Sequence, residues 1–325
     1  MPTINASVRD APEVAIAQRD DFQPIVASPV EHIAPDAGAP FQLLLALDDD
    51  SVARAAVRVT ASLARECGAV PTVVKVIELG LYLTPESLPE LANAHELILA
   101  ADTNHEYRDE LLCRVATLAG HPVHWRAELD VGCDVRCIVH RAEAIGAQLI
   151  VMGLEHHGAF RRALVGDTVR QVITSCIAPV LAVTKSLEGL PGHIVVGMDF
   201  TPSSIRAAHW ARKILAGDGL LELVYVDSGS SVPGTTVATD GILDEKLEAL
   251  IRELALGPMM RAAVVRRRGF AADQLCTYAR EVGADLIALG SHRYKFFERL
   301  QMGSVSTAVV HNAQCSVLVT PPDPT

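Results

Sequence analysis

From Phe41 onward the chain alternates between short aliphatic, β-branched runs and longer stretches in which apolar positions recur every three or four residues. LLLALDDD is followed by SVARAAVRVTASLAREC and then by VPTVVKVIE, a pattern that predicts strand, helix, strand. The same order returns as HIVVGMDFTPSS, IRAAHWARKILAG and LLELVYVDSG. In this second passage the pattern predicts strands at 194–198, 220–226, 262–267, 285–289 and 316–320. Strand runs that are apolar almost throughout are expected where a parallel sheet is covered on both faces.

The two passages keep register, which a shared rhythm alone does not require. Gly132, Gly146, Ala147, Leu149, Ile150, Gly153, Gly166, Val180 and Leu181 recur 137 positions later as Gly269, Gly283, Ala284, Leu286, Ile287, Gly290, Gly303, Val317 and Leu318. Asp48 matches Asp199 at an offset of 151, so the first copy carries about 14 extra residues, expected between Glu78 and Val123. The chain therefore divides into a first domain at 41–185, a linker at 186–192 within KSLEGLPG, and a second domain at 193–322. Residues 1–40 hold six prolines and no sustained periodicity, which predicts an extended or disordered arm. Right-handed crossovers between parallel strands then give an α/β fold: two tandem, doubly wound, five-stranded parallel sheets of Rossmann-like form.

Composition narrows the function. Half of the 325 residues are hydrophobic but only 4% are aromatic, so the cores are built from Ala, Val, Leu and Ile. Lys and Arg number 28 against 39 Asp and Glu, a net charge of −11, with no long basic block. That charge argues against nucleic acid or an anionic membrane as partner. Apolar runs such as Leu43 to Leu47 fall far short of a bilayer span, and the first residues lack a secretory pattern, so a cytoplasmic location is expected. Cys67, Cys113, Cys133, Cys137, Cys176, Cys276 and Cys315 form no CxxC pair, so reduced thiols are expected.

Ligands of open α/β sheets bind beyond the carboxyl ends of the strands, where the winding reverses. In the second copy that region brings Asp199 after the first strand and Val226 and Asp227 after the second. Leu289 ends the fourth strand, with Gly290-Ser291-His292-Arg293 after it. Further on, Gly303 and Ser304 open the helical stretch VSTAVVHNA. A Gly-Ser step at a helix start offers backbone N–H groups and a hydroxyl to a phosphate. The alternative is that Ser304 merely caps its own helix.

Other clusters have a structural alternative. Cys133, Cys137 and His140 share one helical face and suggest metal ligands, but small thiols turned toward the core are the favoured reading. Asp48, Asp49 and Asp50 suggest magnesium, whereas Asp49 and Asp50 suit the start of a helix. His156, His157, Arg161, Arg162, Lys295 and Arg299 fall in loops where solvated charge is the ordinary outcome. Neither a G-x-S-x-G elbow nor a G-x-x-x-x-G-K-[ST] loop occurs, and no general base or nucleophile stands out.

The strand-four Gly290, the spacing to Gly303-Ser304, the closing strand CSVLVT and the opening VVGMDFTPSS together resemble the universal stress protein family over nearly all of 41–322. The resemblance implies an adenine nucleotide alpha hydrolase-like fold that binds ATP or ADP, with magnesium as a companion. It implies that Asp199 lies near the ribose and any metal, and that the backbone at Val226 reads the adenine. Leu289, Gly290 and His292 would line the path from base to phosphate, and Gly303, Ser304, Val305 and Ser306 would hold the phosphates. Arg293 stands where the family's nucleotide binders carry a second glycine, and it either crowds the phosphates or clamps them. The first copy departs further, with His156 at that position, Asp167 in place of Ser304 and Val169 in place of Ser306. A carboxylate at the helix start repels phosphate, so nucleotide binding is expected mainly in the second domain. The resemblance also implies a stress-response regulator that acts on a protein partner and whose two domains pair as an intramolecular pseudodimer through Val180–Val183 and Val317–Thr320. A homodimer of such units stays open. A nucleotide-free interaction scaffold and a weak ATP hydrolase are the alternatives.

Overall fold

The inner strands of the sheet bury side chains on both faces, and this explains their composition. In β1 (Phe41–Ala46) Leu43 and Leu45 pack on one side and Leu44 on the other, all out of contact with solvent. The computed structural model describes residues 40–48, 51–77, 101–155, 166–228, 236–291, 294–296, 299–301 and 303–322. The expectations for residues 1–39, Asp49, Asp50, His156, His157, Arg161, Arg162, His292 and Arg293 lie outside them.

In the first copy, β1 leads through α1 (Ala53–Cys67) to β2 (Ala69–Ile77), and α2 (Ala101–Ala119) leads to β3 (Arg126–Val131). Then α3 (Asp134–Ala144), β4 (Leu149–Gly153), α4 (Gly166–Ser175) and β5 (Val180–Val183) complete it. The second copy repeats the order with β6 (His193–Met198), α5 (Pro202–Ile214), β7 (Leu220–Asp227), α6 (Thr236–Leu254) and β8 (Arg261–Arg268). It ends with α7 (Ala271–Val282), β9 (Leu286–Gly290), α8 (Ser304–Asn312) and β12 (Ser316–Thr320). A small antiparallel ribbon, β10 (Tyr294–Phe296) with β11 (Arg299–Gln301), precedes α8. The five strands expected in the second copy all form, within a residue of the expected bounds. The extra length of the first copy falls at 78–100, between β2 and α2, where the second copy has only 228–235.

The two copies share one ten-stranded sheet, in the order β3-β2-β1-β4-β5-β12-β9-β6-β7-β8. Within each half every pairing is parallel, and the halves join by the antiparallel pair β5–β12. The register Val317↔Ala182, Leu318↔Leu181, Val319↔Val180 centres on two residues that are themselves 137 apart, so a pseudo-twofold axis passes between Leu181 and Leu318. The sequence-expected pairing of last strands is thus present. It removes both would-be edges at the middle of the sheet. To one side of the axis Thr184 N donates to Ser316 Oγ at 3.1 Å, both residues being buried.

Helices cover both faces. α1, α2, α5 and α6 pack on one and α3, α4, α7 and α8 on the other, and each apolar layer runs through both copies without a break. The segment 186–192 is packed rather than slack. Leu187 is buried, Glu188 pairs with Arg58 at 2.7 Å, and Asp285 Oδ2 accepts from Gly192 N and His193 N. At the junction Lys213 sits 3.6 Å from the ring centroid of Phe41 and 4.8 Å from that of Trp210, linking α5 to the first strand of the other copy. None of the seven cysteines is in a disulfide, and burial pushes the Cys315 thiol up to about 12.

One carboxylate interrupts the apolar layer. Glu222 of β7 is 3% exposed, accepts from Tyr278 OH at 2.9 Å and meets His193 Nε2 at 2.7 Å. Burial, then the Glu222 charge, raise Tyr278 above the ordinary tyrosine range. Removing the carboxylate orphans two polar partners at once, which costs far more than a surface contact. We expect Glu222→Ala to lower the urea-unfolding free energy by roughly 2–4 kcal/mol. An Arg58→Ala control, which breaks an exposed pair, should change it by about 1 kcal/mol or less.

Candidate functional site

In each half the winding reverses once, between β1 and β4 in the first copy and between β6 and β9 in the second. At the carboxyl ends of β6 and β9 a cleft of about 300 Å³ opens. Asp199, Val226, Leu289 and Gly290 line it from the strand ends, and Gly303, Ser304, Val305 and Ser306 from the start of α8. Eight of the ten sequence-predicted site residues are therefore brought to one cleft. The other two, His292 and Arg293, fall outside the described residues.

The turn after β6 is shaped by Asp199. Its Oδ1 accepts from Thr201 N at 3.0 Å and from Thr201 Oγ1 at 2.6 Å. This closes the chain over Phe200, which takes φ 59°, a left-handed conformation that aromatic residues seldom adopt. Thr201 caps α5 by accepting from Ser204 N, and Pro202 follows it at the first helical position, where a missing N–H costs nothing.

Gly290 is needed for a reason the strand pattern hides. A Cβ at Gly290 would stand 2.5 Å from both Ser203 C and Ser204 N, so β9 touches the start of α5 backbone to backbone. Thr320 Oγ1 donates to Ser203 O at 2.7 Å and holds the same turn from β12. The cleft floor is thus a junction of β6, β9, β12 and α5.

The start of α8 corrects one alternative. Gly303, not Ser304, occupies the N-cap, and it makes no side-chain capping bond. Ser304 is the first helical residue and is exposed, as is Val305. The first intrahelical bond runs from Thr307 N to Gly303 O, so the N–H groups of Ser304, Val305 and Ser306 precede the helical ladder at the cleft wall. The Ser306 hydroxyl is buried, donating to Gly303 O at 3.0 Å with Ser291 Oγ at 3.5 Å, so it braces the turn. Chemically the cleft offers aliphatic walls at one end, from Met198, Val224, Val226 and Leu289, and helix-start N–H groups at the other. That suits a ligand with a flat apolar part and an anionic part.

Sequence reasoning missed Gly197, Tyr225, Ala271 and Leu275, which also line the cleft. A signal existed for three of them. Ala271 and Leu275 stand one turn apart at the start of α7, and Gly197 interrupts an apolar strand where a Cβ would meet Leu275 Cδ1 at 2.9 Å.

In the corresponding region of the first copy, described side chains pair with one another. Lys75 Nζ pairs with Asp48 Oδ1 at 2.9 Å, and Ser51 donates to Glu155 Oε1 from both N, at 3.0 Å, and Oγ, at 2.6 Å. Val52, at the N-cap of α1, makes no side-chain capping bond, and Glu155 from the loop after β4 places a carboxylate there instead. Cys133, Cys137 and His140 are not turned to the core as favoured above. Ile138 and Ala142 form the buried stripe of α3, which leaves Cys133 and His140 exposed and Cys137 half-buried. No group of three or more His, Cys, Asp or Glu residues suited to a metal ion occurs among the described residues. Among them too, no helix is long and apolar enough to cross a membrane.

A family model for the universal stress protein family matches residues 41–184 and 191–321. Universal stress protein Rv1996 of Mycobacterium tuberculosis is 25% identical over 258 residues, 75% of this chain and 76% of that protein. Universal stress protein Rv2005c of the same organism is 26% identical over 225 residues, covering 64% and 72%. A solved universal stress protein from Archaeoglobus fulgidus shares the fold with a TM-score of 0.60 at 20% identity, over 87% of this chain and 98% of that one.

Because Gly290 leaves no room for a Cβ, Gly290→Ala is expected to push β9 away from α5. Overpacking of this kind costs roughly 1–3 kcal/mol. Thermal unfolding should show that loss, while Gly217→Ala, where a Cβ meets nothing within 4 Å, should leave stability nearly unchanged.

Proposed function

Since the chain belongs to the universal stress protein family, with two such domains in tandem, we propose that it is a cytoplasmic stress-response regulator that binds one adenine nucleotide, ATP or ADP, in its second domain. In this reading residues 1–40 are an arm, 41–185 and 193–322 are the two domains, and 186–192 links them. The nucleotide-bound state is read by a protein partner.

The observation that carries this reading is the start of α8. An uncapped helix N-terminus faces the same cleft as Asp199, Val226 and Leu289, so phosphate and base find complementary surfaces within one cavity. Ser304 adds an exposed hydroxyl beside those N–H groups. Among the described cleft residues Asp199 supplies the carboxylate to which a magnesium ion accompanying the phosphates would turn. The asymmetry between domains rests on the first copy's own side chains. Glu155 brings negative charge to the start of α1, Lys75 is committed to Asp48, and Asp167 stands in register with Ser304.

The test is to denature the purified protein and identify released nucleotide by chromatography and mass spectrometry, then titrate nucleotide-free protein with Mg-ATP. One nucleotide per chain is expected. Ser304→Asp, which gives the second copy the residue of the first, should weaken binding at least tenfold, about 1.4 kcal/mol. Two nucleotides per chain would contradict the restriction of binding to the second domain. No binding at millimolar Mg-ATP would replace this reading with the nucleotide-free scaffold. ATP turnover that Ser304→Asp abolishes would add weak hydrolysis to it.

A further inference from the structure

A second cavity, of about 710 Å³, lies in the first copy, away from the cleft just described. Leu129 and Val131 of β3 and Val135 and Val139 of α3 give it apolar walls. Arg136 and His140, exposed and one helical turn apart on α3, line it as well, with Glu143 beyond them. The first-copy counterparts of Asp199, Gly290 and Gly303 are Asp48, Gly153 and Gly166, and none of them borders this cavity. It is therefore a different place in the fold from the strand-end cleft.

The duplication explains why the space exists. At an offset of 137, Asp130, Cys137 and Arg141 match Arg267, Gln274 and Tyr278. In the second copy Arg267 fills the groove between the edge strand and α7. It donates to Gln274 Oε1 at 3.2 Å and to Glu281 at 3.0 Å, and its guanidinium lies 5.2 Å from the Tyr278 ring centroid. In the first copy the shorter Asp130 is held by Arg141 through hydrogen bonds of 2.5 and 3.2 Å, and Cys137 takes the place of the longer Gln274. A long side chain and its partner have been exchanged for short ones, and the groove they filled is open.

We propose that this cavity binds a small amphipathic anion, with its apolar body against Val131, Val135 and Val139 and its carboxylate toward Arg136 and His140. Its volume falls in the range of small-molecule sites, whose walls are mostly apolar with a few placed polar groups. Asp130 is already neutralised by Arg141. Arg136, two helical turns from Glu143, then supplies the cation that selects a negative head group over a neutral one. The site is independent of nucleotide binding in the second domain.

The full-length protein is titrated calorimetrically with decanoate and, separately, with decanol. One decanoate per chain is expected, with decanol at least tenfold weaker. Arg136→Glu reverses an exposed charge without touching the core and should weaken decanoate at least tenfold. Val139→Trp should block it by filling the cavity. Decanoate should also slow alkylation of Cys137 by iodoacetamide, mapped by mass spectrometry, and leave that of the distant Cys113 unchanged. Absence of saturable decanoate binding, equal binding of decanol, or unchanged binding by Arg136→Glu would overturn the proposal.

Discussion

The antiparallel ladder between β5 and β12 is the constraint on which the rest of this molecule depends. Each copy alone would end in a short apolar strand with an unpaired edge, and such edges recruit other chains. Pairing Leu181 with Leu318 satisfies both edges at once and merges two parallel five-stranded sheets into one. Both helical layers then become continuous across the junction, and Lys213, Phe41 and Trp210 fasten it on one face. The antiparallel geometry has a further consequence. The carboxyl ends of the strands point in opposite directions in the two halves, so the two strand-end regions lie at opposite rims of the sheet.

Placed so, the copies are free to diverge in chemistry while keeping one fold. In the second copy the strand-end region remains a cleft, with Asp199 spent on shaping its own turn and α8 presenting an uncapped start. In the first copy, Glu155 and the Lys75–Asp48 pair supply from within the kinds of charge that a ligand would bring. The edge grooves diverge in the opposite sense. Arg267 fills the groove of the second copy, while Asp130, withdrawn onto Arg141, leaves that of the first open.

Much of this was legible along the chain. The continuous apolar runs predicted strands buried on both faces and their positions in the second copy, the 137-residue register predicted the duplication, and the family resemblance implied the pairing of the last strands. Eight residues of the second-copy cleft were legible because they lie at strand ends or open a helix. What the chain concealed was long-range. Ser51 and Glu155 meet across 104 positions, so no local pattern announces that contact. Gly290 reads as a ligand-facing glycine, yet its Cβ space is taken by the backbone of Ser203 and Ser204. Ser304 reads as a helix cap, but Gly303 before it takes that place. Glu222 did leave a mark, a single acidic residue within LLELVYV, whose partners His193 and Tyr278 are distant in sequence and adjacent in space.

The central claim is that the two copies form one sheet and unfold as one body about the β5–β12 ladder. Native-state hydrogen exchange read at the amides of Leu181, Ala182, Leu318 and Val319 tests it most directly. If the ladder is the common core, those amides exchange only through global unfolding, with the same free energy and the same denaturant dependence as the inner strands β1 and β6. Exchange of β5 and β12 through a smaller opening, while β1 and β6 stay protected, would mean that the copies are separate bodies in contact, and would contradict the account.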